Sequence, residues 1–383
     1  MIVTKSNAFD FHKETLFVKK VFVCALLFLT ILLTFGELYP RKSQKIDLST
    51  GAGISKMLRY DDAQVYLFGE THRCTEYQQF RNVLFKYLVK EKGVRVLVEE
   101  AGYATTFLEN ETVQGRLSFS DWLDRCTSSK EDYELYQWIA DWNSGREDAD
   151  KISIIGIDIT DNIGNMQMLC QYLLKTCNFT GADVQTQRLL TAIRKQNPFS
   201  SLQLQTFQDE FLPQLIELYQ TKPEQLENVL GTQAMHLERA LLGWQEALEQ
   251  QRLRGKAEQL GDSDDVYREN CLYENFMREY QERPDTKYYG EFGAAHVLMS
   301  DYSGKIYRVQ NSFVTRLAEE GSPLNGKLTV IDGGLTFEIG DLGESDTNKV
   351  TLYNTASAKP PVQDMNKFYM DGFAQDASYA QYV

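Results

Sequence analysis

The sequence predicts an α/β fold: a central, mainly parallel sheet flanked by helices, with a large helical insertion, preceded by an N-terminal signal or anchor helix. Three observations predict it. Short apolar runs rich in β-branched and aromatic residues recur along the chain, as buried strands do. A helical pattern bridges the first two runs, and residues 183–283 read as helix alone. The chain has 383 residues, 43% of them hydrophobic and only 8 of them proline, which excludes a disordered chain. Its net charge of −14 argues against nucleic acid as a partner, because phosphate neutralisation needs a basic footprint.

At the N-terminus, Val21 to Phe35 is apolar apart from two threonines and follows Lys5, Lys13, Lys19 and Lys20. That run is short of the ~20 residues a spanning helix prefers. Residues 1–36 therefore read as a signal peptide or uncleaved signal anchor, with the remaining chain outside the cytoplasm. If uncleaved, the segment attaches the protein to a membrane.

The α/β domain is expected over residues 37–340. Val65 to Phe68 is its first strand, and Glu76 to Lys92 follows as a helix with Phe80, Leu84, Phe85 and Leu88 at helical spacing. Gly93 stops that helix, and Val94 to Val98 is the next strand, so the three make a parallel βαβ unit. Ile152 to Ile155 and Thr286 to Tyr289 are the next strands, with two more expected at Lys305 to Gln310 and Lys327 to Asp332. Within the insertion, Leu204, Phe207, Phe211, Leu215 and Leu218 recur every three or four residues, as do Leu237, Leu241, Trp244 and Leu248, and Leu272, Phe276 and Tyr280. Such an insertion could cap a pocket. A polar tail, 341–383, is expected to be loosely held.

Four of the runs lead straight into polar or glycine-containing motifs: Gly69-Glu70-Thr71-His72, Glu99-Glu100-Ala101-Gly102, Gly156-Ile157-Asp158 and Gly290 to His296. In a parallel sheet these positions share one edge, where ligands bind. Two of only four histidines, His72 and His296, fall there; His12 lies in the export region and His236 mid-helix. An imidazole among carboxylates can act as general base on a water. Equally, His72, His296, Glu70 and Glu100 could hold a divalent metal that acidifies water. Glu99 and Glu100 cannot face the same way along a strand, so one should be solvated. Asp158 is either a site residue or a helix N-cap. No nucleophile-elbow serine, H-E-x-x-H, C-x-x-C or P-loop is present. Five cysteines follow the export segment, an odd number, of which Cys170 and Cys177 could pair. Asn110 and Asn178 head glycosylation sequons.

At these residues the chain resembles the erythromycin esterase-like family and the broader superfamily shared with ChaN-type haem-binding lipoproteins. The likeness rests on Gly69, Glu70 and His72, on Glu76, on a helix carrying Arg81, on Glu100 to Gly102, on Trp142-Asn143, on Gly156 to Asp158 and on the segment ending at His296. One residue separates Glu70 from His72, as in the ChaN-like branch, and Glu291-Phe292 stands where the esterases usually carry a second histidine. The resemblance implies a hydrolase of an ester, lactone or amide in a small-molecule substrate. It makes His72 the base, with Glu70 and Glu100 orienting it and Arg81 and His296 nearby. Glu76, Glu99 and Asp158 are expected toward the substrate. Its alternative is a haem- or metal-binding envelope protein without catalytic activity.

Overall fold

Burial on both faces makes the apolar runs into strands. In the computed structural model the described residues are 43–59, 61–70, 75–120, 129–159, 162–260, 265–299, 302–303, 308–309, 311–332 and 349–353. The chain divides after Lys42 into two compact units, and the described residues belong to the second. The expected signal or anchor segment, His72, Cys74 and Cys126 lie outside them.

Five strands form one parallel sheet: β1 (Val65–Glu70), β2 (Val94–Gly102), β3 (Ser153–Asp158), β4 (Lys287–Gly293) and β5 (Leu328–Asp332). Their spatial order is β3-β2-β4-β1-β5. The first βαβ unit is thus parallel but not adjacent, because β4 inserts between its strands. Helix α1 (Thr75–Tyr87) continues through a π-helical turn, Leu88–Lys92, and ends at Gly93 with φ 78°, the left-handed C-terminal residue expected there. The expected strand at 305–310 is corrected: Arg308–Val309 pairs antiparallel with Tyr302–Ser303 and does not join the sheet. Part of the tail is also ordered, since Lys349–Tyr353 pairs antiparallel with Ser43–Asp47.

Helices cover both faces. One face packs Tyr66, Phe68, Leu97, Ile154 and Tyr289 against α1, α2 (Tyr103–Val113), α3 (Lys130–Asn143), α4 (Ile163–Leu174) and α5 (Val184–Arg194). Further helices of the insertion, α6 (Leu212–Thr221), α7 (Pro223–Leu230) and α8 (Ala234–Leu260), extend this layer. The opposite face packs Leu67, Val98, Ile157 and Phe292 against α9 (Asp265–Glu282) and α10 (Phe313–Ala318). The insertion's last helix therefore lies under the other face of the sheet. Its stripe Leu272, Phe276 and Tyr280 anchors it there, each worth roughly 1.5–3 kcal/mol when fully buried.

The motif residues Trp142 and Asn143 are structural. Asn143 donates to Val113 O (3.2 Å) and Ile152 O (2.9 Å) and accepts from Ile152 N (2.7 Å), which fixes the entry to β3. Asn110 is likewise committed, accepting from Ile154 N at 3.0 Å inside α2, so that sequon is a strand clamp. Cys170 and Cys177 are free thiols, a correction to the possible pair.

Candidate functional site

All five strands end on one edge, but alternation divides the polar groups between its two faces. On the α9 face, Glu100 near the end of β2, Asp158 at the end of β3, and His296 in the turn after β4 converge on one side chain, Arg268. Its guanidinium bonds Asp158 through Nε–Oδ1 (3.0 Å) and Nη2–Oδ2 (2.6 Å), and reaches Glu100 Oε1 at 2.7 Å. Nη1 lies 3.0 Å from His296 Nε2. The imidazole also has Glu100 Oε1 at 3.3 Å from Nε2, and Glu269 Oε1 bonded to Nδ1. Glu269 is fixed in turn by the Phe313 N–H at 2.7 Å, and Glu100 by the Gly293 N–H at 2.6 Å. Side-chain exposure grades from 2% at Asp158 and 4% at Glu269 to 22% at Arg268, so Arg268 is the most open member of the cluster.

Two glycines permit this assembly. A Cβ on Gly69 would stand 2.5 Å from Val297 Cγ2 and 3.0 Å from Ala294 Cα, so its absence lets the His296 turn pack on β1. A Cβ on Gly156 would meet Ala101 O at 2.3 Å, where the end of β2 crosses β3. Asp158 is not an N-cap; Asn162 caps α4 by accepting from the Gly164 N–H.

Charge state follows from the partners. Burial disfavours an imidazolium, but Glu100 and Glu269 outweigh it and hold the His296 pKa up at about 10. Burial alone would raise Glu100, yet His296, Arg268 and the Gly293 N–H push it below the usual carboxylate range. At neutral pH this cluster therefore pairs an imidazolium and a guanidinium with the ionised Glu100.

On the opposite face a second cluster gathers Glu99, Glu109, Glu291, Asp132, Arg81 and Tyr136. Arg81 bonds Asp132 (2.8 Å) and Glu291 (3.1 Å) and is itself buried. Tyr136 donates to Glu99 at 2.9 Å. Among the described residues one arginine, Arg81, faces several carboxyls here. Burial lifts Glu99 and lifts Glu109 further, and the two hydrogen-bond each other. Burial, with Glu70 and Glu99 nearby against the opposing Arg81, raises Glu291 to about 8. Glu70, the last residue of β1, belongs to this face by register, and its charge acts on Glu291 and Tyr289.

The sequence expectation of a single cleft is thus corrected. Glu100, Asp158 and His296 meet; Glu70, Glu99 and Arg81 stand across the sheet, and His72 lies outside the described residues. Neither Glu99 nor Glu100 is solvated, since each finds partners on its own face. Glu76 is half-buried in the first turn of α1, where a carboxylate suits the helix dipole. His236 is structural, its Nδ1 2.7 Å from the Tyr103 hydroxyl. Arg268 and Glu269 were not anticipated. The signal was available: Arg268 stands four residues before Leu272 and prolongs the buried stripe of α9, so its charge had to face inward.

The donors around His296 do not fit a divalent metal. Both ring nitrogens are engaged, and a guanidinium fills the place between Glu100 and Asp158 where a cation would sit. Among the described residues no group of three or more His, Cys, Asp or Glu is arranged to hold one.

No protein-family model matches the chain, and no curated protein is similar to it in sequence. Solved structures do match. A mutant of the erythromycin esterase EreC in its open conformation superposes with a TM-score of 0.52 at 15% identity, over 81% of this chain and 82% of that one. A protein from Bacillus cereus (TM-score 0.49, 18% identity, 76% and 72% covered) and a succinoglycan biosynthesis protein (0.48, 18%, 73% and 67%) are also similar. The chain has the erythromycin esterase-like fold.

Proposed function

We propose that the protein is a hydrolase of an ester, lactone or amide in a small-molecule substrate, acting outside the cytoplasm behind its export segment. The observation that carries this is the state of Glu100: an ionised carboxylate at the carboxyl edge of the sheet, held by donors from three separate elements. Such preorganisation keeps a charge fixed where a reacting water and carbonyl would lie. His296, held as an imidazolium between two carboxylates, is a hydrogen-bond donor and not a base. His236 is committed to Tyr103. Base duty therefore falls to His72, which follows β1 by two residues. His72 takes a proton from water, the hydroxide adds to the carbonyl, and the bond to the leaving oxygen or nitrogen breaks as that atom is protonated.

Nitrophenyl ester hydrolysis by the purified full chain tests the reading. His72→Ala should lower kcat/KM by about 100-fold or more, the scale of a positioned base. Dialysis against chelator should leave the parental rate unchanged. Parental turnover by both His72→Ala and Glu100→Gln would refute the assignment.

A further inference from the structure

The acids on the Arg81 face gather at the edge where open α/β sheets take their ligands. Register sets them side by side: Glu99 of β2 is level with Glu291 of β4, and Leu97 with Tyr289 one pleat deeper. Helix α2 brings Glu109 against Glu99, and α3 brings Tyr136, whose hydroxyl donates to both oxygens of Glu99 at 2.9 and 3.2 Å. Solvent still reaches the group. Glu99 and Glu109 are half-buried, and the Asp132 and Glu291 side chains keep 18% and 12% of their surface.

Two polar atoms here are left over. The Tyr289 hydroxyl, on a residue with no exposed surface, has no hydrogen-bond partner. Its ring lies against Phe85 at 5.4 Å, and the hydroxyl points into the acids, in the field of Glu291, Glu70 and Arg81. Beyond the proton it shares with Glu99, Glu109 has an enclosed oxygen, Oε2, that no donor reaches. Enclosed polar atoms without partners mark the place of a water or a ligand. A water brings donors but no charge, and Arg81 is already paired with Asp132 and Glu291. Among the described residues no set of side chains is arranged for a metal. Positive charge carrying N–H donors is what the group lacks.

We propose that this group binds an organic ammonium ion, a primary amine whose three N–H bonds are accepted by Glu109 Oε2, Glu99 and the Tyr289 hydroxyl. The ammonium takes the place of the proton that the two carboxyls otherwise share. The site lies across the sheet from Glu100 and does not depend on the hydrolase reading.

Calorimetric titration of the full chain with butylammonium at pH 7 and constant ionic strength tests it. One saturable site is expected, with butanol, the same chain without the charge, binding at least about tenfold more weakly. Glu109→Gln keeps the side chain's shape and should weaken butylammonium at least about tenfold, with a thermal melt no lower than the parent's. Tyr289→Phe removes only the hydroxyl and should weaken it about threefold, and decides the matter if Glu109→Gln does not fold. No saturable binding, equal affinity for butylammonium and butanol, or parental affinity in either folded variant would each overturn the proposal.

Discussion

Replacing Glu269 by Gln should lower the His296 pKa and cost stability in a way that depends on pH. In the parent, two carboxylates outweigh burial and hold that pKa at about 10 against an ordinary 6.5. At about 1.36 kcal/mol per unit the difference is worth roughly 5 kcal/mol. Glu269 supplies one of the two contacts, so its charge accounts for roughly 2–3 kcal/mol and its loss should bring the pKa to about 8. A group that binds its proton more tightly when folded stabilises fully below its unfolded pKa and loses that stabilisation as pH rises through the folded one. The gap between parent and variant should thus be present at pH 6 and fade between about pH 8 and 10. A second part adds to the gap while the ring is charged. Glu269 accepts from both His296 and the Phe313 N–H, and a glutamine amide must turn its NH₂ toward one of these donors, costing roughly 1–3 kcal/mol until the ring loses its proton and Nδ1 can accept. Long-range proton–nitrogen spectra can follow the ring directly, since the chain has only four histidines. Urea titrations at pH 6 and pH 10 measure the stability gap. A parental His296 titrating near 6.5, or a gap of equal size at both pH values, would refute the reasoning.

Arg268→Leu leaves Asp158 without its cation and Glu100 with His296 alone, and should cost about 3 kcal/mol at pH 7 by urea unfolding. Because the Glu100 pKa is depressed in the fold, that gap should narrow as pH falls through the acid range. Gly69→Ala, whose Cβ meets the Val297 side chain and the Ala294 backbone, should lose roughly 1–3 kcal/mol in thermal melts. Gly156→Ala meets a backbone carbonyl that cannot move aside, and should lose more. Glu109→Gln should stabilise at pH 8 and converge on the parent toward pH 4.5, because a carboxyl whose folded pKa is raised loses stability as pH rises above its unfolded value.

The strands were legible because burial on both faces writes them as unbroken apolar runs, Val65 to Phe68 and Val94 to Val98 among them. Their last residues were less so. Glu99, Glu100 and Gly102 look like a loop in sequence, and extend β2 only because each carboxylate finds partners on its own face. Strand order was also hidden: nothing local to Lys287–Gly293 says that it slips between β1 and β2. The edge bearing the site could be inferred, yet its centre could not, because Arg268 reaches Glu100 across 168 residues of sequence. Only the i, i+4 line from Arg268 to Leu272 and Phe276 hinted at an inward charge.

Glu99 and Glu100 show why composition alone could not assign the site. Adjacent on one strand, they are the same residue type at nearly the same depth, but the pleat sends them to opposite faces. Glu100 joins Asp158 and Glu269 opposite an arginine and an imidazolium, three acids to two cations, so ionisation is sustained and its pKa falls. Glu99 joins Glu109 and Glu291, with Glu70 and Asp132 nearby, around Arg81, and among the described residues the acids outnumber the cation, so protons are retained and the pKa values of Glu99, Glu109 and Glu291 rise. Surplus acid costs several kcal/mol if left ionised in a buried setting, and sharing protons is the cheaper state. The first arrangement can hold charge against a reacting carbonyl at neutral pH; the second serves as a neutral, hydrogen-bonded floor. The chemistry of this edge is thus divided by the cations that α9 and α1 bring to each face.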